Sequence, residues 1–248
     1  GGDVENTCDV TSNSVLLYKE EIRTCGKDAK NIVSLGTAGF VMQLTNSLVS
    51  ICCNNVLSAT GGDVYVSVMT IISSVRQMIE TPIWSISEGS SPVISYNYGA
   101  KRPKKVIEAW ITMSVLALIY SLIAWSVILF APKFLIGIFS SDKSLMIDTV
   151  PAMKLYFSAF IFMLFQYTGQ TMFKSLNKKK QAIFFSILRK VIIVVPMTYM
   201  FPYVFHMGSN GVFMAEPVSN VIGGSLCFIV MLLTVLPELK QMNSDLSS

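Results

Sequence analysis

The spacing of charges limits what this chain can fold into more than any other feature. No charged residue lies between Lys30 and Asp63, and none between Glu108 and Lys133. Only Lys154 interrupts the run from Asp148 to Lys174, and only Glu216 the run from His206 to Glu238. Soluble chains carry about 25% charged residues. Here the figure is 14%, with 52% hydrophobic residues and a mean hydropathy of +0.56. A helix crossing a bilayer needs about 20 mainly apolar residues, and it satisfies its backbone polar groups internally where lipid cannot. The pattern predicts six spans, over residues 32–58, 64–98, 106–131, 147–172, 181–205 and 210–236. The expected fold class is all-α, a polytopic membrane protein built as a six-transmembrane-helix bundle. Its limits are a 1–30 linker, a 31–238 bundle and a 239–248 tail.

Residues 89–105 give this bundle a depth and a direction. An apolar helix meets a break at Gly89 and Pro92, then Tyr96 and Tyr98, then Gly99, then Lys101, Arg102, Lys104 and Lys105 around Pro103. Tyrosines sit well at the bilayer interface, and lysine and arginine mark the cytoplasmic side. Gly99, lacking a Cβ, and Pro103, lacking an N–H, stop the helix. With loops assigned alternately, thirteen lysines and arginines fall on one side and only Lys133 and Lys143 on the other. Both termini are therefore expected in the cytoplasm. The net charge of +4 follows from this asymmetry and does not point to nucleic acid. The five cysteines form no ligand-spaced set, and Cys52 and Cys53 are adjacent in an apolar span.

Polar residues are costly in a bilayer, so their alignment marks a cavity or a helix contact. In the first span Gln43, Asn46, Ser47, Ser50 and Asn54 recur at steps of three or four. In the second, Ser73, Arg76, Gln77, Glu80, Trp84, Ser87, Glu88 and Ser91 form a stripe. Arg76 and Glu80 stand i, i+4 and are placed to pair; Glu80 is also the one ion-coupling candidate. Pro82 and Pro92 are expected to bend this helix. In the fourth span Gln166, Tyr167 and Gln170 share a face beside Phe157, Phe160, Phe162, Met163 and Phe165. Such a stripe suits organic cations through its π-faces and soft methionine, or simply packs. In the fifth span Arg189 is expected to snorkel or to bond backbone carbonyls, and Pro196 to kink the helix. In the sixth, Glu216 opens a small polar face near the external end, where capping of the helix start is favoured over ion coupling. No catalytic triad, metal-spaced cluster or phosphate loop is present, so the chain is not expected to be an enzyme.

Ser91-Pro92-Val-Ile-Ser-Tyr96-Asn-Tyr98-Gly99-Ala-Lys101 resembles the end of the second helix of the C-terminal lobe in the multidrug and toxic compound extrusion (MATE) family. Ser34-Leu-Gly-Thr-Ala-Gly-Phe40 resembles the opening of that lobe's first helix. Leu188-Arg189 with Pro196 resembles its fifth, and Gly211-Val-Phe-Met-Ala-Glu216-Pro217 its sixth. The resemblance covers residues 31–238.

MATE transporters are two-lobed antiporters that expel cationic or amphipathic compounds in exchange for Na⁺ or H⁺ by alternating access. The resemblance implies that this chain is the C-terminal lobe, with residues 1–30 a cytoplasmic inter-lobe linker and an N-terminal six-helix lobe as partner. It also implies a bacterial cytoplasmic membrane, small organic cations as substrates, and Na⁺ or H⁺ as coupling ion with no other cofactor. Some branches place coupling carboxylates in the spans where this chain has Gln43, Asn46, Gln166 and Gln170, so coupling acids are expected in the other lobe. The cavity-facing set is Gln43, Asn46, Gln77, Glu80, Gln166, Tyr167 and Gln170. Arg76, Glu88, Pro92, Tyr96, Gly99, Arg189, Pro196 and Glu216 are the structural set. A lipid-linked oligosaccharide flippase of the same superfamily would want a more cationic cavity than Arg76 and Arg189 supply. A non-transport membrane scaffold would lack continuous polar stripes. A half-transporter that dimerises is a further alternative.

Overall fold

A computed structural model describes residues 3–140 and 142–245, with side chains at Phe40 and from Gln43 onward. The side chains of Ser34 to Gly39, and the outermost residues of the expected linker and tail, lie outside the described set. The chain divides into two compact units, Gly1–Leu44 and Thr45–Ser248. In the first, residues 3–44 are helical, where the sequence reading expected a loop up to residue 30.

In order, the helices are α1 (Asp3–Gly99), α2 (Pro103–Phe130), α3 (Pro132–Phe139), α4 (Lys143–Tyr156), α5 (Phe160–Ser175), α6 (Lys179–Ile187), α7 (Val195–Tyr203), α8 (Ser209–Ser219) and α9 (Ser225–Asp245). A π-helical stretch, Leu188–Val194, joins α6 to α7, and a second, Asn220–Gly224, joins α8 to α9. Among the described residues there is no strand. Among the described residues four helical stretches are long and apolar enough to cross a membrane, and α4 with α5 makes a fifth across a 50° bend. The all-α membrane fold is as expected.

The sixth span comes from dividing the first stretch. Gln43–Gly99 has 57 residues, which at 1.5 Å per residue would reach roughly 85 Å against a hydrocarbon core of about 30 Å. It is broken at Gly62, with φ 72° and ψ −169°. Contacts along α8 and its neighbours show the reversal. Cys53 Sγ meets Thr198 Oγ1 at 3.7 Å, and Thr60 Oγ1 meets Ser209 Oγ at 3.4 Å. Past Gly62 the order runs back, with Tyr65 against Phe213 and, at the far end, Tyr98 donating to Glu238 at 2.6 Å. The reversal falls in the gap left between the first two expected spans. At Pro82 and Pro92 the backbone stays helical, so the expected break at Gly89 and Pro92 is not there. The helix ends at Gly99, and a turn with Lys101 at φ 53° leads to Pro103 in the first turn of α2.

The fourth span departs from the expected continuous helix. Residues 157–159 are not helical, and the indole N–H of Trp125 on α2 donates to the Phe157 carbonyl at 3.0 Å. Phe157, Phe160 and Met163 fill the core beside this bend. Phe157 stacks edge-on against both Tyr156 and Phe160. Phe157, Phe160 and Met163 thus pack the bundle interior; of the rest of the expected stripe, Phe162 is exposed and Phe165 rests on Phe228 with centroids 4.9 Å apart.

At the lysine-rich end, Ser91 Oγ meets Ser175 Oγ at 2.8 Å and Lys174 Nζ donates to Glu88 at 2.6 Å. Lys178 and Tyr98 both donate to Glu238. These contacts tie α1, the α5–α6 turn and α9 together. Tyr96 beside them is exposed.

Candidate functional site

Five charged residues of the apolar spans, Arg76, Glu80, Arg189, Lys190 and Glu216, meet inside the bundle. Arg76 and Glu80 lie one turn apart on α1, and the Arg76 Nε–H donates to Glu80 as their spacing predicts. Arg76 Nη1 donates to the Tyr156 hydroxyl on α4 at 2.7 Å, with the guanidinium carbon 5.9 Å from that ring's centroid. Its Nη2 reaches Glu216 Oε1 on α8 at 3.1 Å. Tyr167 on α5 donates its hydroxyl to Glu80 Oε2 at 3.3 Å. One arginine thus links three spans.

Glu216 is the second centre. Its Oε1 also accepts from Lys190 Nζ at 3.2 Å and lies 3.7 Å from Arg189 Nη2. The Arg189 Nη1 donates to Asn220 Oδ1. Glu216 is therefore no helix cap, as the sequence reading favoured. It is the eighth residue of α8, roughly 10 Å along from Ser209, while the N-cap position belongs to Gly208. Arg189 does not snorkel either. It is buried among α6–α7, α8 and α9, because a carboxylate and an amide are within its reach and water is not.

Both π-helical stretches face this cluster. One carries Arg189 and Lys190, the other Asn220. Pro196, expected to kink the fifth span, is the second residue of α7, just after the first of them. A proline ring clashes with the carbonyl four residues back, and a widened turn relieves that clash. Gly223 and Gly224 allow the close approach. A Cβ at 223 would lie 2.8 Å from Arg189 Cγ, and one at 224 would lie 2.4 Å from the Phe162 carbonyl oxygen.

The remaining expected residues fall into two groups. Gln166 and Gln170 are buried, which departs from a shared cavity face. Gln170 Nε2 donates to the Ala182 carbonyl at 3.5 Å, and Gln166 Oε1 has no partner among the described residues. Asn46 and Gln77 are exposed, as are Ser73 and Trp84. Gln43 is exposed in the first unit. Tyr156, Lys190 and Asn220 stand outside both expected sets. A lysine deep in an apolar span was the available signal for the second of them.

The MatE family model matches residues 39–200. The chain matches no curated protein sequence. Among solved structures, MATE in the straight conformation shares the fold at a TM-score of 0.77 and 19% identity, over 87% of this chain and 47% of that one. An inward-facing multidrug resistance MATE family transporter of the MOP superfamily gives 0.76 at 20% identity, over 87% and 49%. A MOP superfamily transporter from Pyrococcus furiosus, described by the reverse polarity of its binding pocket, gives 0.76 at 20%, over 86% and 47%. At such identities the likeness concerns the fold, and the chain spans about half the length of these structures. The family match takes in α1 from residue 39, the bent fourth span and the first π-helical stretch, more than half of the chain, and the chain belongs to the MatE family.

Proposed function

We propose that this chain is the C-terminal half of a cation-coupled antiporter that exports small organic cations by alternating access. The observation that carries this reading is the polar face of α1. Ser73, Gln77 and Trp84 are exposed in the middle of a helix long enough to span, and the Gln77 side-chain amide makes no hydrogen bond among the described residues. Lipid cannot satisfy an amide, so such a face needs a water-filled cavity or a second half opposite it. Trp84 offers a π-face to a cation there. Glu80 and Glu216 are each paired to cations within the bundle, Glu80 to Arg76 and Glu216 to Arg76 and Lys190, which supports coupling acids in the other half.

The test is ethidium export by the full-length protein in proteoliposomes, driven by a sodium or a pH gradient. Export that follows one of those gradients and falls in a Gln77→Ala variant is expected. Export indifferent to both gradients would overturn the reading.

A second reading, a flippase for anionic lipid-linked substrates, is favoured by one observation. The cluster holds Lys190 as well as Arg76 and Arg189, three cations within the bundle where an anionic headgroup would need them. The described reversal of pocket polarity in the Pyrococcus furiosus relative of this fold runs in the same direction.

A further inference from the structure

The buried cluster does not balance its own charge. Arg76, Arg189 and Lys190 face two carboxylates, Glu80 and Glu216, and all three cations converge on one oxygen, Glu216 Oε1. The other groups turned toward it are neutral at ordinary pH: Tyr156 from α4, Tyr167 from α5, Asn220 from the second π-helical stretch. An uncompensated charge among apolar spans is strongly disfavoured.

A second observation stands apart from the charge count. Arg189 is 4% exposed, and its Nε–H has no acceptor among the described residues. Buried guanidinium N–H groups are ordinarily all engaged.

We propose that this cluster is a binding site for one small inorganic monoanion of the chloride type. A single anion beside Arg189 supplies both the missing acceptor and the missing negative charge. A dianion would overshoot the balance. Gly223 and Gly224 are already packed against the Arg189 side chain and the Phe162 carbonyl oxygen, so a large organic anion beside Arg189 would have to push these helices apart. Arg76 and Glu80, at the α1 edge of the cluster, keep 19% and 16% side-chain exposure, which makes that edge the least closed way in. The site is independent of what the protein exports.

The experiment is thermal unfolding of the full-length protein in detergent, in sodium chloride, bromide or nitrate against sodium gluconate at equal ionic strength. The three small anions should raise Tm saturably by at least about 3 °C over gluconate, which is too large to enter. Lys190→Met removes the surplus charge and should abolish the difference. Glu80→Gln adds to the surplus and should lower the half-saturating chloride concentration at least about fivefold. If Lys190→Met fails to fold, Glu80→Gln decides alone. Equal Tm in chloride and gluconate would overturn the site, and would fit a cluster that balances itself by releasing the Lys190 proton. A chloride effect that the folded variants leave unchanged would overturn it too, as binding elsewhere.

Discussion

Glu216 Oε1 lies 3.1 Å from Arg76 Nη2, joining the last span of the bundle to its second across 140 residues of chain. The same oxygen serves Lys190 and Arg189. Glu216→Gln keeps the shape and removes the charge, leaving two of the three cations without a carboxylate. Breaking a buried ion pair by removing one partner costs about 3–5 kcal/mol. A loss of that order in unfolding free energy, or a failure to accumulate in the membrane, is expected. Chemical unfolding in detergent, read by tryptophan fluorescence, checks it; a loss below about 1 kcal/mol would mean that the cluster is not closed as described.

Gly224→Ala should cost more than Gly223→Ala. At 224 the new methyl meets the Phe162 carbonyl oxygen at 2.4 Å, a backbone atom that moves only with its helix. At 223 it meets Arg189 side-chain carbons at 2.8 and 3.0 Å, which can shift if the cluster loosens. Overpacking of this kind costs about 1–3 kcal/mol. Comparing the two melting temperatures ranks them, and the reverse order would place the tight crossing elsewhere.

Gly62→Ala tests the reversal without any packing term. No atom lies within 4 Å of a Cβ at this position, so the cost comes only from φ 72° with extended ψ, a conformation reserved almost wholly for glycine. A destabilisation of about 1–3 kcal/mol is expected. An unchanged melting temperature would imply that α1 does not turn back there.

Legibility in the sequence divides by range of interaction. Spans are a local property, so charge spacing located them, and the Gly61-Gly62 pair fell in a gap between two of them. The Arg76–Glu80 pair is also local, one turn apart. The bend at 157–159 has no such mark: it lies among Phe157, Ser158 and Ala159, and the Phe157 carbonyl, which keeps only a short-range bond from the Phe160 N–H, is also held by Trp125 from another helix. Glu216 looked like a cap for a similar reason. Its three cations come from other helices, the nearest of them 26 residues away, and nothing in its own neighbourhood names them. Gln166 and Gln170 share a helical face as their spacing predicts, yet burial depends on which neighbour covers that face.

The Trp125 bond has a mechanical consequence. At the bend the Phe157 carbonyl accepts from both the Phe160 N–H, at 3.1 Å, and the indole; were α4 and α5 to straighten into one rod, that carbonyl would turn along the helix axis and away from the indole. The 50° angle is thus a joint pinned from outside, with the pin on α2. Any stroke that flexes the fourth span must either drag α2 along or break that bond first.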